Sequence, residues 1–393
     1  MNAPTVRYGG FYALFYAFLV APLSFLPLYF NDLGFSAAEI GLISIIGNIA
    51  VILGAPFSLH LIHFVRSRSA LRKALVLAAG AAFSVLFFFQ GVVSCSVFVG
   101  VALFFHKAVG SLIDAAAVRA SAEKHLSFDH ARLGGSLGFV AALYLFGFLV
   151  DNGGSEWSVV LGALSLLALA GYTFLFFGRE GSAWVDEPRP SASSSLESDP
   201  GSWINPFTWL CIALALAWGS SSVMVVYLSV YLEALGWNAT EISHAWAVSV
   251  LAEILAFLLF ARLWQSCSLL TIFRVSILLT TCRWVLMAST TDFWGILLAQ
   301  LFHAFSFATL YLSSTKLVFE ILPDNLRDKG QGWIVMLGSG LGALLGKFAA
   351  SYGASRLDSL LELPFLFNCC AFVAFAGYLI SIFIRDGGDM MRR

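Results

Sequence analysis

The sequence predicts an all-α integral membrane protein, with twelve transmembrane helices arranged as two parallel six-helix halves. Three observations carry that expectation. The composition is too apolar for a water-facing surface. Apolar runs long enough to cross a bilayer recur twelve times. A segment of the first half also reappears in the second.

Of 393 residues, 59% are hydrophobic and only 11% are charged, and the mean hydropathy is +0.86. A soluble domain carries roughly 25% charged residues because most of its surface meets water. This chain therefore uses lipid as solvent over most of its surface. The net charge of −1 gives no footprint for nucleic acid. Six cysteines (Cys95, Cys211, Cys267, Cys282, Cys369 and Cys370) form no CxxC pair and lie near no histidine at metal-ligand spacing, so they read as apolar helix residues. The first apolar run begins near Tyr8 and has no small-residue cleavage site after it, so it reads as a retained helix.

A helix needs ~20 apolar residues to cross ~30 Å of hydrocarbon. Such runs fall at about 9–30, 38–62, 71–92, 96–121, 132–151 and 157–178, then at about 204–232, 241–262, 269–290, 294–319, 330–354 and 361–384. Between the two sets lies a polar stretch with Pro188-Arg189-Pro190, a serine-rich run at 191–195, Glu197, Asp199 and Pro200. It cannot bury enough apolar surface to fold alone. The expected organisation is a bundle over 1–178, a flexible cytoplasmic linker over 179–203 and a second bundle over 204–393.

Lys and Arg set orientation, because basic residues collect in cytoplasmic loops. With the N-terminus inside, the inner loops hold Arg66, Arg68, Arg72, Lys73, Lys124, Arg179, Arg189, Arg262, Arg274, Arg327 and Lys329, and the outer loops hold Arg356. The outer side is otherwise acidic, with Asp32, Glu39, Asp151, Glu156, Glu233, Glu241 and Asp292. The expectation is a multi-pass protein of the inner membrane, monomeric in the lipid bilayer, with both termini cytoplasmic.

Residues 29–40 read YFNDLGFSAAEI, and residues 231–242 read YLEALGWNATEI. Tyr, Leu, Gly, Ala, Glu and Ile match in register, each pair 202 positions apart (231 − 29). In both segments a glycine stops one helix. Ser36 or Asn238 then caps the next, with a glutamate three residues on to complete a capping box. A second echo pairs Phe105-His106 with Phe302-His303, and Arg119 and Glu123 with Lys316 and Glu320. Two parallel six-helix repeats are the pattern expected of the major facilitator fold, whose substrate site lies at mid-membrane. The two i,i+4 charge pairs are either solvated helix ends or gating contacts. The glycine words 134–138 and 338–342 open spans five and eleven, where small residues let helices pack closely.

An ionisable residue at mid-membrane costs about 2.5–3.5 kcal/mol on insertion scales, so it faces a cavity or a partner. Lys107, Asp114, Glu253, Arg283, His303 and Lys347 are such residues, and Arg132 opens span five. Lys107 and Asp114, seven apart, share one helix face. Each of these is either a structural ion pair or part of a site.

Several words resemble the phenylpropionate permease branch of the major facilitator superfamily. They are Trp246-Ala247-Val248, Ala252-Glu253, Cys267-Ser268, Arg283-Trp284, Thr290-Thr291 and Gln300-Leu301-Phe302-His303 with Phe307; Asp114-Ala115 and Arg132-Leu133 with Gly135-Ser136 and Phe139 fit the same branch. That branch is related to lactose permease. The resemblance implies that Asp114 and Arg132 hold substrate, with Phe139 in place of a stacking tryptophan. It also implies that Glu253, Arg283 and His303 serve substrate binding and proton coupling. The chain departs from the permease pattern at Ser306 and Gln300, where the relative has a proton-carrying glutamate and a lysine. Tyr311 stands in place of a second histidine. The loop word 60–66 is degraded and lacks the superfamily's aspartate.

The function expected is secondary active transport, a proton-coupled symport of a small organic molecule such as 3-phenylpropionate or another aromatic carboxylate. No cofactor is expected beyond the proton as coupling ion. Asp114, Arg132, Arg283 and Phe139 would bind substrate, and Glu253 would carry the proton with His303 or Asp114. Arg119, Glu123, Lys316 and Glu320 are the gating candidates. A sugar or nucleoside symporter, an exporter and a non-transporting membrane sensor remain open. No HExxH, GxSxG or phosphate-loop word points to an enzyme.

Overall fold

The computed structural model of the chain describes residues 3–65, 67–123, 126–177, 201–263 and 265–384. Residues 178–200, most of the expected linker, lie outside the described residues. Among the described residues there is no strand, and twelve helices are long and apolar enough to cross a membrane. Spans 1 to 6 are Ala3–Asp32, Ala37–Ser58, Arg68–Phe87, Val92–Ala122, Phe128–Gly153 and Trp157–Phe176. Spans 7 to 12 are Pro206–Ala234, Ala239–Phe260, Leu269–Ser289, Phe293–Ile321, Asp324–Ala354 and Leu360–Ser381. Helices are the economical solution here, since lipid offers no partner to an unpaired N–H or C=O.

The repeated sequence word folds twice into the same joint. Span 1 ends on Gly34 at φ 82° and span 7 on Gly236 at φ 89°, a region open to glycine because it has no Cβ. Phe35 N–H reaches back to Phe30 O and Trp237 N–H to Leu232 O, each at 3.0 Å, closing the six-to-one bond of a Schellman stop. The next helix starts in both cases with a reciprocal cap. Ser36 N–H donates to Glu39 while Glu39 N–H returns to Ser36 Oγ. Asn238 and Glu241 exchange the same two bonds.

The described residues within 1–181, 225–247 and 351–361 form one compact unit, and those within 182–224, 248–350 and 362–393 form another. In the first, spans 1 and 5 cross backbone to backbone. A Cβ added at Gly134 would stand 2.6 Å from Gly9 O, and one at Gly138 would strike the Ala13 backbone. In the second unit, spans 7 and 11 repeat that crossing, and a Cβ at Gly342 would stand 2.6 Å from Ala215 O. Both glycine words are thus packing devices at equivalent places in the repeat. Around the second crossing lies an apolar core that includes Leu210, Leu214, Phe273, Ile277, Leu310 and Ile334.

Within the first unit, spans 7 and 8 are tied to residues of the first six spans. Tyr227 OH donates to Ala37 O at 2.8 Å, Asn31 Nδ2 to Glu233 at 3.0 Å, and Ser243 Oγ to Leu143 O at 2.8 Å. The Asp151 carboxylate takes the N–H of Ala239 at 2.6 Å, the N–H of Thr240 at 3.0 Å and the Thr240 hydroxyl at 2.5 Å. With Asn238 and Glu241, it satisfies the first four N–H groups of span 8, the ones a helix cannot pair internally. An N-cap removal costs about 1 kcal/mol, and an anion at a helix N-terminus adds about 0.3–1 kcal/mol. Asp151→Ala is therefore expected to lower the thermal midpoint of the purified protein. An unchanged midpoint would show that water caps these groups equally well.

Among the described residues, three π-turns interrupt the spans, at Ala21–Phe25, Ala304–Thr309 and Met336–Gly342. A π-turn adds a residue to one turn and rotates everything beyond it, and such turns are frequent at functional sites. The one in span 10 begins directly after His303.

Candidate functional site

Span 9 brings Arg283 into the interior of the second unit, where its side chain is wholly buried. Its described hydrogen-bond partners are uncharged groups. Nη2 donates to Gln300 Oε1 at 2.6 Å and to Met224 Sδ at 2.8 Å. Nη1 donates to Ser306 Oγ at 2.8 Å and to His303 Nδ1 at 3.0 Å. Nε has no partner. The guanidinium also lies 4.8 Å from the Trp284 ring, whose own N–H is held by Ser220 Oγ.

A guanidinium only donates, so His303 Nδ1 must accept, and the imidazole proton then sits on Nε2. Nε2 faces the carboxylate of Glu253 on span 8 at 3.7 Å. Both side chains keep about a fifth of their surface open, at 21% and 20%. A continuous polar line therefore runs Glu253, His303, Arg283, Gln300. Ser249 anchors the far end by donating to Gln300 Oε1 at 2.8 Å. A carboxylate, an imidazole with its proton turned toward that carboxylate, and a cation at the other ring nitrogen can together hold and pass a proton.

The first unit holds a separate polar group. Asp114 Oδ1 on span 4 accepts from Tyr12 OH at 2.7 Å and from Arg132 Nη1 at 3.4 Å. The Arg132 guanidinium lies 5.2 Å from the ring centres of both Tyr12 and Tyr16, so the arginine is braced by two aromatic faces and one acid. Arg132 and Asp114 are 40% and 37% exposed, open enough to meet a solute.

The profile of the MFS_1 like family matches residues 5–357. The chain belongs to that family. It is a membrane transporter of the major facilitator type, and membership in a transporter family, not an enzyme family, accounts for its twelve spans. It is 26% identical over 316 residues to a protein of Escherichia coli (strain K12) described as a probable 3-phenylpropionic acid transporter; the match covers 79% of this chain and 80% of that one. Its fold is similar to the crystal structure of the nucleoside transporter NupG, with TM-score 0.79 at 14% identity, covering 97% and 98% of the two chains. It is also similar to a bacterial homologue of the iron transporter ferroportin in an inward-facing state, with TM-score 0.72 at 17% identity and 97% and 99% coverage.

In this MFS_1 like transporter the remaining candidates are placed as follows. Phe139 is buried on span 5 and Lys347 is buried on span 11. Lys107 is half-buried, beside Gly54. Arg119 is half-buried and Glu123 exposed at the end of span 4. Lys316 and Glu320 are exposed on span 10, with the Lys316 ammonium 5.1 Å from the Phe260 ring centre. The repeat's other histidine has taken a packing role. His106 stacks on Phe15 at 3.8 Å between ring centres, and its Nε2 bonds Phe15 O at 3.0 Å.

Sequence reasoning missed Tyr12, Tyr16 and Met224 as partners of the two arginines. A signal did exist for the tyrosines, since Tyr8, Tyr12 and Tyr16 recur every four residues along one face of span 1. Met224 carries no such signal. Gln300 and Ser306, the two positions where the chain departs from the lactose permease pattern, both accept hydrogen bonds from Arg283.

Proposed function

We propose that this transporter is a proton-coupled symporter of a small aromatic carboxylate such as 3-phenylpropionate, working by alternating access. One observation carries the reading: Arg283 is a fully buried cation whose polar partners are all neutral. A buried charge without an opposite one is costly, and a planar fork of donors matches a carboxylate two bonds at a time. An anionic substrate would supply the missing charge by displacing the weaker partners, the Met224 thioether and the Gln300 amide. The neighbouring Glu253 and His303 supply a place for the coupled proton, and the described activity of the Escherichia coli relative supports the same cargo.

In this reading the six-helix halves 1–178 and 204–393 alternate access across an inner membrane with both termini cytoplasmic, and the monomer is the working unit. The contacts at Asp151, Glu233 and Tyr227 are among those that must break in each cycle. Arg119, Glu123, Lys316 and Glu320 are candidates for the matching contacts at the opposite face. The second reading, a sugar or nucleoside symporter, is favoured by the half-exposed Asp114–Arg132 pair with its two tyrosines, a set suited to hydroxyl groups.

The test is uptake of labelled 3-phenylpropionate by proteoliposomes under an inside-alkaline pH gradient, with a protonophore control. Accumulation that collapses with the protonophore is expected. No flux above empty liposomes, alongside uptake of a nucleoside or sugar, would replace the first reading with the second.

A further inference from the structure

Span 10 carries three rings on one face beyond Gln300. His303 stacks with Phe307 at 5.7 Å between centres and 14° between planes, and Phe307 with Tyr311 at 6.3 Å and 8°. The π-turn at Ala304–Thr309 lies between the first ring and the third, so it sets the phase that lines them up. Trp218 of span 7 lies against the same row, 6.5 Å from Phe307 at 28° and 6.4 Å from Tyr311 at 20°. The row is not sealed, because Phe307 remains 37% exposed. One end of it is the Arg283-bonded His303.

Trp218 has a second property. It is 7% exposed, and its indole Nε1 has no hydrogen-bond partner. Buried indole N–H groups ordinarily find one, and each exception calls for an explanation. Trp284, also deeply buried in this unit, donates to Ser220 Oγ at 3.0 Å. The contrast marks Trp218 as a donor kept without a protein acceptor beside an aromatic wall. Gly338 is part of the reason the ring can lie there, since a Cβ at that position would strike the Trp218 ring.

We propose that Phe307, Tyr311 and Trp218 form a ring subsite adjoining Arg283, and that the Trp218 N–H takes a hydrogen-bond acceptor on the cargo's ring. The preferred cargo is then a ring-hydroxylated aromatic acid, with its carboxylate at Arg283 and its hydroxyl at the indole. The assignment of the carboxylate rests on the transport reading above, and the ring subsite is what it adds. A planar π face gains from the parallel rings what a saturated ring of equal bulk does not. A donor left unpaired by a plain phenyl group is satisfied by a hydroxyl oxygen.

The experiment is calorimetric titration of the purified full chain with 3-phenylpropionate, 3-cyclohexylpropionate and 3-(4-hydroxyphenyl)propionate, in parallel with their uptake by proteoliposomes. The hydroxylated acid is expected to bind about three- to tenfold more tightly than 3-phenylpropionate, and the saturated acid about tenfold more weakly. Trp218→Phe keeps a ring in place and removes the donor. It should erase the advantage of the hydroxyl while leaving the difference between phenyl and cyclohexyl. Equal affinities of the three acids for the unaltered protein would overturn the subsite, whatever the variant does. Discrimination in binding without uptake would uphold the subsite and sink the transport of these acids. Uptake without discrimination would do the reverse, and the absence of both would overturn both.

Discussion

Arg283→Gln is expected to abolish uptake of aromatic acids while leaving the purified protein as stable as before, or more so. The two signs together are diagnostic. Removing a charged, hydrogen-bonded partner of a buried anion costs about 2–5 kcal/mol of binding, which is a loss of about 30-fold to several thousandfold in affinity. Stability moves the other way. The arginine's hydrogen-bond partners Gln300, Ser306, His303 and Met224 carry no charge, so the folded protein bears a desolvated charge that none of them neutralises. A neutral amide of similar reach can still bond Ser306 and Gln300. An arginine kept for structure would show a clear fall in thermal midpoint, and that fall with binding retained would refute the anion site. Arg283→Lys should recover only part of the affinity. An ammonium is a point charge and lacks the fork that grips both oxygens of a carboxylate.

Glu253→Gln is expected to eliminate uphill accumulation while preserving exchange of substrate down its gradient. The glutamine keeps an oxygen facing His303 Nε2, so the local geometry survives; what disappears is the site that binds and releases a proton. The accumulation ratio under an inside-alkaline gradient should fall to about one, and exchange should lose its pH dependence. His303→Gln should act in the same direction. It breaks the line between the Glu253 carboxylate and Arg283 while sparing both end groups. Undiminished accumulation in the Glu253 variant would remove this residue from coupling and leave Asp114 as the acid to test.

Both variants touch residues that stand out in the sequence because charge inside an apolar run is expensive. Glu253, Arg283 and His303 were visible for that reason, and they do come together. The reason they cohere was not visible. Arg283 looks like half of an ion pair in the sequence, whereas in the structure its partners are an amide, a hydroxyl, a thioether and an imidazole. The amide and hydroxyl occupy the positions where the permease pattern has charged residues. Of the two, Ser306 stands at the glutamate position, so an uncharged hydroxyl meets Arg283 where that pattern has an anion.

What the sequence determined by itself is the one-dimensional part of the structure. Span lengths follow from the thickness of hydrocarbon. The joints at Gly34 and Gly236 follow from local chemistry: a glycine for the left-handed turn, a side-chain oxygen for the cap and a glutamate to close it. All of these interactions run between residues within a turn or two of one another. The tertiary structure decided how each helix is rotated about its axis. A membrane helix is apolar around its whole circumference, so it carries little of the polar–apolar contrast that orients a helix in water. The phase is set by shape, at places such as Gly138 on Ala13 and Gly342 on Ala215, and it is reset by the π-turn after His303. That phase brought Tyr12 to Asp114, Met224 to Arg283 and Trp218 to the Phe307–Tyr311 row. The physical reason is that close packing, with no hydrophobic pattern to follow, is specified by neighbours far away in the chain.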